Sequence, residues 1–390
     1  MIMVLTGKSI ENEESMEIDI QGDVIYSIKR TDALSEDLPY VSAGFIDMQV
    51  NGFNGNDYSM LDLDRVAVDA IIRDLACSGV TQHVPTFVSL PEKRLLRNLA
   101  VVSSHIEQDS DAASAICAFH IEGPFISPTD GARGAHDRTC IRKPDFEEFL
   151  RWQDAARGLI AYLTVAPEVE NMIEFITKVV KSGVKVAIGH TEATPAQVRE
   201  AIYAGANLST HLGNGSPAMI PRLENFLWEQ LASDELWAGL ICDGFHLPKA
   251  VVQVILRAKG LDRLILVSDA SMLGGYPPGM YKWGDVDVKV FDDHHLGLPG
   301  TSMLAGAAHL LDWDIAHFIE YSGLPLASAI RLCTKNPVSF LGLQGTKLGL
   351  LKTGAPANIC LFHHVSGDRR VAVQNTIRAG RLVYSSGNRR

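Results

Sequence analysis

Ala118-Phe119-His120-Ile121-Glu122-Gly123-Pro124-Phe125 holds the key to the fold. From Cys117 to Ile121 the run is apolar and β-prone, as in a strand buried on both faces, and it places a carboxylate directly before a Gly-Pro break. An acid at the end of a buried strand needs a counter-charge. Alone, Glu122 reads as an ion-pair partner or a helix N-cap. Two later strand-like runs end in histidine in the same manner, at Ile188-Gly189-His190-Thr191 and Leu208-Ser209-Thr210-His211-Leu212. Together the three strand ends predict a metal site.

Around this stretch, apolar strand-like runs alternate with longer segments of helical spacing. The strands are expected at Ala43–Val50, Gly79–Val88, Ala115–Glu122, Leu159–Ala166, Val184–His190, Asn207–Leu212, Trp237–Cys242 and Leu264–Ser268. Helical spacing is clear in Asp64–Cys77 and in Glu170–Val180 before the stop at Ser182-Gly183. Eight β/α units in about 300 residues fit a TIM barrel better than a doubly wound sheet. Asp47, Gln49, Asn51, Glu122, Glu168, His190, His211, Asp243, His246 and Asp269 all fall at or just after strand C-termini, where a barrel carries its chemistry. Asp285–Leu298, with Asp292-Asp293-His294-His295, breaks the pattern and reads as a small hairpin insertion near the mouth, its histidines solvated.

The chain ends look different. Ile2–Leu5, Met16–Ile20 and Val24–Ile28 are short apolar pieces between turn residues, and so are Ile359–Phe362, Val371–Val373 and Leu382–Tyr384. Neither half buries a face alone, so the two are expected to pair. The predicted organisation is a β-sandwich domain of residues 1–42 and 350–390 around a barrel of residues 43–349.

At 390 residues and 46% apolar, the chain has the composition of a soluble globular protein. A net charge of −11 argues against a nucleic-acid partner, and an anionic substrate would need a local basic group. The six cysteines form no CxxC pair and lie mostly in apolar runs, which reads as free thiols in a reducing compartment, the cytoplasm. No run approaches the ~20 apolar residues of a membrane span, and no signal peptide is evident.

Glu122, His190 and His211 supply one oxygen and two nitrogens, the donor set of a catalytic zinc site with a position left for water. Such a metal lowers the pKa of the water it holds to roughly 7. Asp269, after Leu264-Ile265-Leu266-Val267-Ser268, is placed to act as general base and then general acid, although the flanking serines also fit a helix N-cap. His136 and His246 lie in loops where either could polarise a carbonyl or hold a hydroxyl. Asn214, Gly215 and Arg222, which follow His211, make a plausible anion cradle.

These residues resemble the amidohydrolase superfamily and, within it, the N-acetylglucosamine-6-phosphate deacetylase family. The resemblance is carried by Gly44-Phe45-Ile46-Asp47, His120-Ile121-Glu122-Gly123-Pro124-Phe125, Gly134-Ala135-His136, Val165-Ala166-Pro167-Glu168, Gly189-His190-Thr191, Thr210-His211-Leu212 with Asn214, Asp243-Gly244-Phe245-His246, Val267-Ser268-Asp269-Ala270 and the closing Gly349–Ile359. It implies hydrolysis of N-acetyl-D-glucosamine 6-phosphate to glucosamine 6-phosphate and acetate, with Glu122, His190 and His211 as metal ligands and Asp269 as the catalytic acid/base. It also implies sugar-phosphate contacts from Ala135, His136, Asn214, Gly215, Arg222 and Asp243, Gly244, Phe245 and His246. Leu298, Pro299 and Gly300 would sit near the acetyl group, and a homodimer is implied, with Arg222 reaching across its interface. Where many members of the superfamily have His-x-His after the first strand, this chain has Gln49-Val50-Asn51. An amide is a poor zinc ligand, so one divalent ion per subunit is expected. The Gly213–Arg222 loop differs from the family's usual Asn-Ala-Met element. The competing readings are deacetylation of another N-acylated amino sugar and a catalytically silent barrel scaffold.

Overall fold

The computed structural model describes residues 2–32, 37–283, 286–301 and 303–388. Among these residues, eight parallel strands stand side by side in the order in which the chain makes them: Phe45–Val50, Val80–Phe87, Phe119–Glu122, Ile160–Val165, Lys185–Ile188, Leu208–Ser209, Trp237–Leu240 and Leu264–Leu266. The ring closes through residues just past the first and last strands. The Asp269 N–H donates to the Gln49 carbonyl, and the Asn51 N–H to that of Ala270, each at 2.9 Å. Consecutive parallel neighbours with helical crossovers make this a (β/α)8 TIM barrel and exclude the doubly wound sheet, whose strand order reverses part-way.

The barrel is filled, not hollow. Met48, Val84, Tyr162, Ile241, Ile265 and Phe340 form a cluster distinct from the larger one between strands and helices. Tyr162 crosses the interior and donates its hydroxyl to the Met48 carbonyl at 2.5 Å. Local signals set the helix starts. Asp64 caps Arg65–Ala76 by accepting from the Ala67 N–H, and Thr194 and Gln197 form a reciprocal capping box at Pro195–Tyr203.

The two chain ends share one sheet. Among the described residues its seven strands run Arg381–Ser385, Ala372–Arg378, Ile359–His363, Tyr40–Ala43, Ile2–Ser9, Ser15–Gln21 and Val24–Arg30. Ile18, Ile20 and Ile25 from one end of the sheet join Ile359, Leu361 and Ile377 from the other in one core, as in a β-sandwich. Tyr40–Ala43 is the strand that joins the halves, pairing antiparallel with Ile359–His363 and parallel with Ile2–Ser9. The sequence reading gave Ala43 to the first barrel strand, but the chain changes sheets at Gly44. A Cβ on Gly44 would stand 2.1 Å from Thr81 Oγ1, so only glycine fits the crossing.

Two further differences bear on the site. The sixth strand is only Leu208–Ser209, because the chain leaves the ladder before His211, which sits at φ +29°. The insertion begins earlier than expected and is a three-stranded antiparallel sheet, Gly279–Trp283, Val286–Val290 and Leu296–Gly297. The expected start at Asp285 lies outside the described residues.

Candidate active site

Glu122 ends the third strand, and His190, His211 and Asp269 follow the fifth, sixth and eighth. The last three have left-handed backbones, with φ of +51°, +29° and +50°. Such conformations are costly for residues with side chains and persist only where surrounding structure imposes them. Here they turn three side chains inward as the chain leaves the barrel. The loops then press glycines against the result. Gly215, at φ +58°, passes so close to His190 that a Cβ would lie 2.8 Å from its Nδ1.

The metal-type side chains converge. Glu122 Oε1 lies 3.1 Å from His211 Nε2 and 3.3 Å from His190 Nε2, and the two imidazole nitrogens are 3.1 Å apart. All three side chains are buried. Four-coordinate zinc with ligands at roughly 2.0–2.1 Å places those ligands about 3.3 Å from one another, so the donor set and its spacing fit a divalent cation. Burial pushes the Glu122 carboxyl up, but hydrogen bonds and charge from His190 and His211 outweigh it and hold the group well below the usual carboxylate range. For His211, burial opposes the charged ring and Glu122 overrides it, raising its pKa.

His136 stands beside the same cluster, its Nε2 3.2 Å from His190 Nε2 and 3.8 Å from Glu122 Oε2. Glu122, His136 and His190 therefore also place ligand atoms within 4.8 Å of one another. Hydrogen bonding separates the two histidines. His190 Nδ1 lies 2.9 Å from the Ala132 carbonyl and must donate to it, which leaves a lone pair on Nε2 for a cation. His136 Nδ1 accepts from the Ser89 N–H at 3.3 Å, so its Nε2 carries the proton. Burial, then the neighbouring His190, drops His136 to about 3, which keeps that ring neutral. It is built as a hydrogen-bond donor.

Asp269 Oδ1 accepts from Asn51 Nδ2 at 2.7 Å and Gln49 Nε2 at 3.0 Å, and Gln49 Nε2 also lies 3.0 Å from Glu122 Oε1. The two amides thus tie the acid after the last strand to the acid of the third. Burial, then the Glu122 charge, raises Asp269 to about 6.

These groups open into a cavity of about 1010 Å³. Of the residues expected at the substrate, Ala135, His136, Asn214, Gly215, Phe245 and His246 line it together with Glu122, His190, His211 and Asp269. Asp243 and Gly244 stand behind the wall. The Asp243 carboxylate accepts from the N–H groups of Phe245 and His246 and lies 2.8 Å from His246 Nδ1, so it shapes the loop and does not face the cavity. Leu298, Pro299 and Gly300 do not line it either, since Pro299 and Gly300 form an exposed turn tip that sends Met303, Leu304 and Gly306 to the cavity wall instead. Arg222 is exposed and outside its own chain's cavity.

Cationic residues that the sequence reading did not single out, Arg94, Arg133 and Arg138, do line it. Arg133 could have been noticed two residues from Ala135. Arg94 sits in the helix Glu92–Gln108 and carries no local signal.

Sequence and structure comparisons give the same answer. A curated Bos taurus N-acetylglucosamine-6-phosphate deacetylase is 31% identical over 357 residues, covering 88% of this chain and 83% of that protein. The chain belongs to the N-acetylglucosamine-6-phosphate deacetylase family. The Danio rerio deacetylase is 29% identical across 98% of this chain and 92% of its own length. A Mycobacterium smegmatis deacetylase solved with N-acetyl-D-glucosamine 6-phosphate superposes with a TM-score of 0.86 at 28% identity, covering 98% of this chain and all of that one. No family profile matches the chain. The deacetylase family accounts for both the barrel and the buried Glu/His/His cluster, which has the composition of a divalent-metal site.

Proposed function

We infer that this chain is a hydrolase that converts N-acetyl-D-glucosamine 6-phosphate to D-glucosamine 6-phosphate and acetate. The observation that carries this reading is the meeting of Glu122, His190, His211 and Asp269, from four separate strand ends, in one cavity of a family deacetylase. Glu122, His190 and His211 would hold one divalent ion, with zinc matching the nitrogen and oxygen donors. When bound, that ion supplies a Lewis acid and lets water act as a nucleophile at neutral pH. His136 Nε2–H, beside Glu122 and His190, would donate to the amide carbonyl oxygen as it develops charge. Asp269, fixed by Gln49 and Asn51, takes the proton of the attacking water and delivers it to the departing amine. Asn214, Gly215, Phe245 and His246 form the wall against the sugar.

Several finer points belong to the same proposal. Residues 1–43 with 350–390 act as one discontinuous domain around the barrel of residues 44–349, one residue later than expected, in keeping with the shared seven-stranded sheet. A homodimer would let Arg222 reach the neighbouring subunit's phosphate. Met219 and Leu223, 90% and 73% exposed beside it, support such an interface. Six cysteines that form no disulfide fit the cytoplasm. Among the described residues no helix is long and apolar enough to cross a membrane.

A second reading, deacetylation of a different N-acylated amino sugar, draws on the exposure of Arg222 outside its own cavity. The test is turnover of N-acetylated sugars with and without a 6-phosphate, on wild type and Arg222→Ala. The first reading requires a preference for the phosphorylated sugar and a KM for it that rises in the variant while that of the plain sugar does not. Equal turnover of both sugars by wild type supports the second.

A further inference from the structure

A column of stacked rings runs behind the loop that carries His246. The Phe291 and His295 rings lie 4.1 Å apart at 7°, and His295 lies 5.1 Å from Phe245. On its other side Phe245 lies 5.5 Å from His309 at 11°, His309 stacks on Trp313 at 4.1 Å, and Trp313 is followed by His317 at 5.4 Å. The column therefore starts in the turn between the second and third strands of the inserted sheet and ends in the helix Leu311–Ser322. The loop after the seventh barrel strand contributes its Phe245 to the middle.

The same helix holds that loop by hydrogen bonds. Asp314 Oδ1 accepts from the Cys242 N–H at 2.6 Å, and Trp313 Nε1 donates to the Asp243 carbonyl at 2.8 Å. Gly244 passes so near His317 that a Cβ would lie 2.8 Å from its Cδ2. Cys242 to Gly244 are thus anchored to the barrel's own helix. Beyond them, Phe245 is held from one side by His309 and from the other by His295, and the next residue, His246, faces the cavity. His295 is itself fixed, with Nδ1 2.6 Å from Asp293 Oδ1. Expected to be solvated, His295 keeps 24% of its side-chain surface exposed, and its ring also packs against Phe291 and Phe245.

We propose that His295 is a positioning residue: stacked on Phe245 opposite His309, it lets the inserted sheet set the place of Phe245 and His246 against the substrate. The proposal rests on the deacetylase reading for its kinetic consequence but not for its structural one. His295 touches no reacting atom, so its loss should weaken binding while leaving the chemistry at Asp269 intact. Removal of one face of a ring stack is a modest perturbation, worth roughly a five-fold change in KM.

The experiment compares His295→Ala, His295→Gln and His295→Phe in the full-length, metal-loaded protein. Ala and Gln should raise KM about five-fold with kcat within two-fold of wild type, because Gln keeps a polar group for Asp293 but has no ring. Phe should restore KM. Without substrate, hydrogen exchange at the Phe245 and His246 amides should quicken in Ala and Gln and return to the wild-type rate in Phe. Unchanged exchange in Ala, wild-type behaviour in Gln, or failure of Phe to rescue would each overturn the proposal. If wild type deacetylates no amino sugar, the deacetylase reading fails, and the exchange rates still decide the clamp.

Discussion

The Ser89 backbone N–H donates to Nδ1 of His136 at 3.3 Å, and the Ser89 hydroxyl lies 2.8 Å from the same nitrogen. That pairing puts the His136 proton on the side facing Glu122 and His190, the orientation the proposed role as donor to substrate needs. Replacing His136 by Ala should therefore lower kcat by about 10²–10³-fold while metal stoichiometry stays near that of wild type. His211→Ala, by contrast, should lose the metal. Metal content of dialysed protein checks both, and metal loss from the His136 variant would make that residue a ligand instead.

Asp269→Asn keeps the size of the side chain but cannot accept a proton. With metal retained, kcat should fall by about 10²–10⁴-fold. The pH profile follows from the same carboxyl, raised to about 6 by burial and the Glu122 charge. A base works only when ionised, so kcat/KM should fall as pH drops through that value, approaching ten-fold per unit. A bound cation favours the carboxylate, which places this limb at or below about pH 6. An acid limb that persists unchanged in Asp269→Asn would remove Asp269 as the base.

Asp314 supports the site from behind at a cost that depends on pH. Its Oδ1 accepts from the Cys242 N–H, Oδ2 is buried without a hydrogen-bond partner, and burial raises its pKa well above 3.8. Because the folded value lies above the unfolded one, its contribution is most favourable below about pH 4 and is lost as pH rises toward the folded value. Asp314→Asn removes that dependence and can still accept from Cys242. Its Tm relative to wild type should be higher at pH 8 than at pH 5, and a difference of the opposite sign would contradict the burial argument.

Gly44→Ala tests the junction between the two sheets. The added methyl would meet Thr81 Oγ1 at 2.1 Å and Thr81 Cγ2 at 2.3 Å, inside a buried wall. Denaturant unfolding should show a loss of at least about 2 kcal/mol. A neutral effect would mean that the crossing has slack.

The eight barrel strands were legible because each is an apolar run fully or nearly fully buried, and period and burial survive in a linear sequence. Their edges were less so. Ala43 belongs to a different sheet from Phe45, and what separates them is Thr81, a neighbour only in space. Glu122, His190, His211 and Asp269 could be found because each ends or follows a readable strand. Arg94 could not, since a cavity-facing arginine on a helix has the same local pattern as a solvated one. The ring packing of His295 is not legible for a related reason: its stacking partners, Phe291 and Phe245, are respectively four residues and one barrel strand away.

The sequence by itself determined the alternation of strand and helix, the acid and two histidines at strand ends, and hence a metal-type site on a barrel, because these follow from periodicity and residue chemistry. Only the tertiary structure decided which imidazole nitrogen faces that site, which arginines meet the cavity, and how Gln49 and Asn51 hold Asp269. Those outcomes depend on hydrogen bonds and packing between segments far apart in the chain, such as Ser89 with His136 and Ala132 with His190. No local pattern encodes a partner fifty residues away.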